Sequence, residues 1–354
     1  MYRADLFLWT QWHVYNLKKI LKKLSIGLAG FILLTSIAAG IGIYWMTSFV
    51  DTPAAPKANE IIFTISPGQS LDTIARNLKQ NGIITDPFRF KLYARYKKAA
   101  TQIKAGEYQL SPALPPAQVL ATLQKGRVKL YKVTIPEGLN LDETAALVQK
   151  TGFCSGQAFL TLCHDRDFIG ELDLEGHTLE GYLYPDTYFF PKTSSCRQII
   201  KKMTATFHDI FTPEWRRQAK ALGYSVHEIV TLASIIEKET GDASERPLIS
   251  SVFHNRLKKR MRLESDPTVI YGDKTFDGRI RYRHLRRKTP YNTYQIKGLP
   301  LGPIANPGGL ALKAALFPVS SDYIFFVSKN DTTHYFSKTL KEHNRAVRKY
   351  QLNK

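Results

Sequence analysis

The chain has 354 residues, 50 of them Lys or Arg against 30 Asp or Glu, for a formal net charge of +20. Its 44% hydrophobic residues, 12% aromatics among all residues, exclude a disordered polymer and suffice for a sizeable core, and its length exceeds a single small module. Cys154, Cys163 and Cys196 are too few for a disulfide-dense scaffold, none lies in a CxxC pair and no metal-site spacing with His accompanies them, so no metal or cofactor is expected.

Residues 1–23 form a basic leader, with Arg3, Lys18, Lys19, Lys22 and Lys23 against Asp5. Trp9, Trp12 and Tyr15 within it have the composition of an interfacial helix, or mark a misplaced start. Residues 24–50, Leu24 to Val50, carry no charge, and a bilayer core needs about 20 helical residues, so one transmembrane helix is expected. The run exceeds the roughly 7–15 residues of a signal-peptide core, which favours an anchor over a cleaved leader. The cationic flank belongs in the cytoplasm and places everything after Val50 outside. From Asp51 onward the net charge is +16, which favours anionic partners such as lipid head groups or wall polymers, and the topology argues against nucleic acid.

A Pro-containing linker, 51–58, leads into a module over 59–130. Glu60–Ser66 has the β-branched character of a strand, and Pro67-Gly68 turn the chain. Ser70 caps a helix whose Leu71, Ile74, Ala75 and Leu78 form one apolar stripe. Asp86-Pro87 begin a second helix, Ala105–Leu110 reads as a return strand, and Pro115–Lys125 is a short helix closed by Gly126. This strand–helix–helix–strand order resembles the lysin-motif (LysM) fold, a small binder of N-acetylated glycans.

Residues 131–354 make up the rest. Lys129–Pro136 is a strand, followed by a helix with Leu141, Ala145, Ala146 and Val148. The aromatic stretch Leu179–Tyr188 reads either as a wall of a sugar-stacking cleft or as a loop packed by its own rings. Ser225-Val226-His227-Glu228 has the form of a capping box, and Ile229–Ile236 is apolar on nearly every side, as in a buried helix. That helix ends on Glu237-Lys238-Glu239-Thr240, with Gly241 expected as the left-handed residue that stops it. Glu239 continues the stripe Ile229, Leu232, Ile236; burial and the negative end of the helix dipole both favour its protonated form, as a general acid requires. Glu237 points about 200° away, towards Val230 and Ala233. The run Arg279–Lys288 interleaves cations with aromatics, either as a solvated face, an exposed hairpin or a site for an anionic polymer.

The order of motifs Glu180–Tyr188, Ile235–Thr240, Ala243-Ser244-Glu245-Arg246, Val252–Leu257, Met261–Gly272, Pro290–Tyr294 and Gly298–Gly308 resembles the endolytic murein transglycosylase (YceG-like) family over about residues 60–345. Leu301 stands where the pattern suggests a second proline. The resemblance implies an α+β chain: a single N-terminal transmembrane helix, a small LysM-like βααβ domain and a mixed α+β catalytic domain. It implies a bacterial inner (plasma) membrane protein, with its catalytic part outside. The implied reaction is cleavage of the MurNAc-β-1,4-GlcNAc bond of nascent peptidoglycan strands without water, leaving 1,6-anhydro ends, in company with peptidoglycan synthases. Glu239 matches the family's catalytic glutamate. Glu237, Asn255, Asp266, Tyr271, Tyr291, Asn292, Tyr294 and Asn306 are candidates for binding substrate. Two rivals stand beside this reading: a hydrolase using a second carboxylate from Glu237, Glu180, Asp186 or Asp266, and a non-catalytic glycan-binding scaffold.

Overall fold

The computed structural model describes residues Arg3–Leu352, with side chains at Lys19 and from Leu21 onward. The expectation for Trp9, Trp12 and Tyr15 therefore lies outside the described side chains. Two compact units divide the chain, Met1–Lys129 and Leu130–Lys354.

The first unit begins with α1 (Arg3–Val50), whose portion Leu21–Val50 is long and apolar enough to cross a membrane. Those 30 residues reach about 45 Å, more than the roughly 30 Å of a hydrocarbon core. The surplus goes into protein: Phe49 and Val50 are buried, and Met46 packs beside them, in the core of this unit. The Arg89 guanidinium lies 4.2 Å from the centre of the Trp45 ring. Residues 51–58 are fastened to the unit, since Ala55 N–H donates to Pro112 (3.0 Å) and Ser111 Oγ to the Ala58 carbonyl (3.0 Å). Then come β1 (Ile61–Ile65), α2 (Leu71–Gln80), α3 (Pro87–Tyr96), β2 (Gly106–Leu110) and α4 (Pro116–Lys125). β1 and β2 pair antiparallel with Phe63 opposite Tyr108, and both rings enter the core. Ser70 caps α2, Asp86 caps α3 ahead of its N1 proline, and left-handed Gly126 ends α4.

In the second unit β3 (Leu130–Thr134) pairs antiparallel with β4 (Thr187–Pro191), across α5 (Leu141–Lys150), α6 (Gly156–Cys163) and α7 (Arg166–Glu171). Next follow α8 (Cys196–Ile210), α9 (Pro213–Ala221), α10 (Val226–Glu239), α11 (Arg246–Lys258), α12 (Asp266–Ile270), α13 (Tyr282–Arg286) and α14 (Gly309–Leu316). A hairpin of β5 (Phe325–Ser328) and β6 (His334–Ser337), the helix α15 (Leu340–Val347) and a π-helical turn, Arg348–Leu352, close the described fold. A disulfide joins Cys154 to Cys196 at the start of α8, while Cys163 is buried and free.

α10 is the central element. Every residue from Ile229 to Ile236 is buried, and the helix packs against α14. Its capping box is present: Ser225 Oγ accepts from Glu228 N–H and Glu228 returns a bond to Ser225 N–H. Its end departs from expectation. Gly241 is not left-handed; the helix stops because Thr240 turns extended (φ −138°, ψ 137°) and its hydroxyl accepts the Asp242 N–H at 2.9 Å.

The stretch Leu179–Tyr188 is no cleft wall in its rings: Leu179, Tyr182, Leu183 and Tyr188 are core residues, and Tyr182 stacks edge-on against Phe207. Gly181 holds φ +86° against Pro303 and Val230, where a Cβ would come within 2.7 Å of both. The basic run is neither hairpin nor strand, because α13 occupies its middle, with Arg281 paired to Asp277 and Arg287 to Asp273.

Candidate active site

The last turn of α10 carries three consecutive side chains with separate fates. Glu237, only 6% exposed, pairs with Arg246 at 2.6 Å and accepts the Gly308 N–H at 2.9 Å. Lys238 donates to the Gly138 carbonyl. Glu239 lies on the other side of the helix, in an open groove of about 680 Å³ formed with Thr240, Asp242, Ser328, Thr332 and His334.

Glu239 Oε1 accepts a short hydrogen bond from Ser265 Oγ. Ser265 is itself buried, its N–H donating to Thr293 Oγ1 at 2.9 Å, and Thr293 and Thr268 share a further hydroxyl contact at 2.8 Å. The chain reaches this position through Glu264, a left-handed residue (φ +51°) whose carboxylate pairs with Arg256 at 3.1 Å. Among the described residues Glu239 has no ion-pair partner. Burial pushes its carboxyl up to about 7, reinforced by the nearby Asp266 charge and opposed by the Ser265 bond and by Arg256. The result is a carboxyl group that holds its proton close to neutrality, beside open space.

Asp266 opens α12 and accepts the Tyr294 hydroxyl at 2.7 Å, so the structure brings Asp266 and Tyr294 to the Glu239 neighbourhood. At the other end of α12, Tyr271 donates to Glu180 Oε2 (2.8 Å) and its ring lies 4.6 Å from that of Tyr291. Glu180 is buried, also accepts the Leu141 N–H that begins α5, and is pushed up to about 7 by that burial. Glu180, Tyr271 and Tyr291 line a second pocket of about 550 Å³. One short helix thus separates two carboxyls that favour their protonated form.

Three expected substrate contacts are spent inside the protein. Asn255 Nδ2 donates to the carbonyls of Ser321 (2.8 Å) and Tyr323 (2.9 Å). Asn292 is buried, its Nδ2 donating to the carbonyls of His284, Leu285 and Arg287. Asn306 is fully buried and bonds four residues: Oδ1 accepts from Gly181 and Leu183, and Nδ2 donates to Leu139 and Thr144. Glu237 belongs with them, as a framework carboxylate. Asp186, on the rim of β4, accepts its neighbour's Thr187 N–H. Sequence reasoning gave no role to Ser265, Thr293, Glu245 or His334. Ser265 carried one local signal, a hydroxyl residue just before Asp-Pro at a helix start.

A model of the YceG-like family matches residues 63–349. The chain is 34% identical over 319 residues to a Bacillus subtilis (strain 168) protein named endolytic murein transglycosylase, covering 86% of this chain and 88% of that one. A protein of the same name from Streptococcus pneumoniae serotype 2 is 28% identical over 351 residues, with 90% of this chain covered but 63% of the longer relative. Among solved structures, a crystal structure of a yceG-like protein from Listeria monocytogenes is 36% identical with a TM-score of 0.57, over 81% of this chain and 98% of that one.

Proposed function

The chain belongs to the YceG-like family, and on that premise we propose that it is a peptidoglycan lytic transglycosylase in which Glu239 serves first as general acid and then as general base. Relatives that align over most of the chain carry the name endolytic murein transglycosylase. The observation that carries the residue assignment is the desolvated Glu239 carboxyl, titrating near 7 at the edge of the groove.

The chemistry needs little else. Glu239 donates its proton to the glycosidic oxygen as the C1–O bond of N-acetylmuramic acid breaks, and N-acetylglucosamine leaves as an alcohol. The muramyl 6-hydroxyl closes on C1, and the Glu239 carboxylate takes that hydroxyl's proton. The carboxyl returns to its starting state, no water enters, and a 1,6-anhydro end remains. Ordinary glycosidases place a second carboxylate opposite the acid; here the sugar supplies its own nucleophile. Glu237 is unsuited to that task because Arg246 and Gly308 already hold it.

The apolar helix α1 serves as a single-pass anchor in the bacterial inner (plasma) membrane, with the rest outside. The Cys154–Cys196 disulfide supports the outer placement, since such bonds persist in oxidising compartments. Residues 59–130 act as a LysM-like glycan-holding domain, residues 131–354 form the catalytic domain, and nascent strands reach the enzyme from peptidoglycan synthases. Glu239→Gln tests the assignment. It should lower strand cutting by roughly 10²–10⁴-fold while the chain stays folded; retained cutting removes Glu239 from the mechanism.

A further inference from the structure

His334 stands at the start of β6, on the wall of the groove that holds Glu239. Glu245, the residue just before α11, grips it twice: Oε1 accepts the His334 N–H at 2.9 Å and Oε2 faces Nδ1 at 2.7 Å. A carboxylate can only accept, so Nδ1 carries the hydrogen, and Nε2 is the ring nitrogen left for another partner. Among the described residues Nε2 has no hydrogen-bond partner, nor is it sealed from solvent as an orphaned buried atom. The Phe326 ring meets His334 edge-on at 5.4 Å, which fixes the plane of the imidazole. The hairpin tip before it is strained: Thr332, a β-branched residue on the groove wall, holds φ +71°. The ring is thus aligned by a carboxylate and braced by Phe326 and Phe336, on a residue that lines the groove, with one ring nitrogen left for a ligand.

Resting on the transglycosylase reading above, we infer that His334 is a substrate-contacting residue of the Glu239 groove, its Nε2 hydrogen-bonding to a hydroxyl or acetamido group of the bound glycan. Glu245 is its positioning residue. The pair spans α11 and the β5–β6 hairpin, so the wall opposite the end of α10 is preset before substrate arrives, which reduces the ordering that binding must otherwise impose.

The test uses the full-length chain in detergent with Glu239→Gln, which binds without cutting, and glycan strands stripped of stem peptides. Adding His334→Ala should weaken strand binding about tenfold. Independently of how that variant folds, the ¹⁵N resonance of His334 Nε2 in the Glu239→Gln chain should move when strands are added. Strands that bind and leave Nε2 unmoved overturn the assignment alone. Strands that do not bind the Glu239→Gln chain at all overturn the transglycosylase reading and this assignment with it.

Discussion

Ser265 and Asp266, neighbours in sequence, pull on the Glu239 proton in opposite directions. The serine hydroxyl donates to the carboxylate and favours ionisation, whereas the Asp266 charge disfavours it. In the proposed mechanism the acid form begins the reaction, so the cutting rate should fall about tenfold per pH unit above about 7. Ser265→Ala should move that alkaline limb upward in pH and Asp266→Asn should move it downward, as read from pH–rate profiles of the two variants. The same carboxyl carries a stability signature. Folded Glu239 keeps its proton up to about 7 while the unfolded chain releases it near the ordinary 4.5, so this group destabilises the fold as pH rises between those values. Glu239→Gln should therefore melt higher than wild type at pH 8, by at most about 3 kcal/mol, and show little gain at pH 4. Helical phase favoured burial of Glu239 on the interior stripe, and the family resemblance singled it out as the proposed acid. Its supports were not legible in the sequence, because Ser265 lies 26 residues away and the Glu245–His334 pair spans 89, distances that only the tertiary fold closes.

At the scale of elements, local signals served well where a cap decides the matter. Ser70, Asp86 and Ser225 each cap the helix expected of them, because a side-chain oxygen satisfying an end amide acts within a few residues. The end of α10 shows the limit: the helix stops just before Gly241 as expected, but through an extended Thr240 whose hydroxyl accepts the Asp242 N–H rather than through a left-handed glycine. The polar motif residues Asn255, Asn292 and Asn306 show a related limit, their amide N–H groups being bonded to the protein itself. An asparagine that staples distant backbone cannot be told from one that holds a sugar until its partners are seen. The end of α1 gives a prediction of its own. Phe49 and Val50 complete the core of the first unit, so a chain beginning at Thr52 should unfold more easily than one beginning at Tyr44, by about 3 kcal/mol or more. Denaturant melts of the two forms, followed at the first unit, measure this.

The whole molecule joins an apolar helix, a disulfide and a strongly cationic body. The Cys154–Cys196 bond closes a 42-residue loop, and on chain entropy its loss should cost about 4 kcal/mol. Cys154→Ser with Cys196→Ser should lower the melting temperature measurably against wild type under oxidising conditions, and reduced wild type should match the double variant. The net +16 beyond the helix predicts that cutting of anionic wall polymer slows as ionic strength rises, as measured by strand shortening from low to high salt. The account depends most on how the glycan bond is broken. Mass spectrometry of strands digested by the wild-type chain tests it directly: the account predicts muramyl ends lighter by one water, the 1,6-anhydro form, and reducing muramyl ends would contradict it.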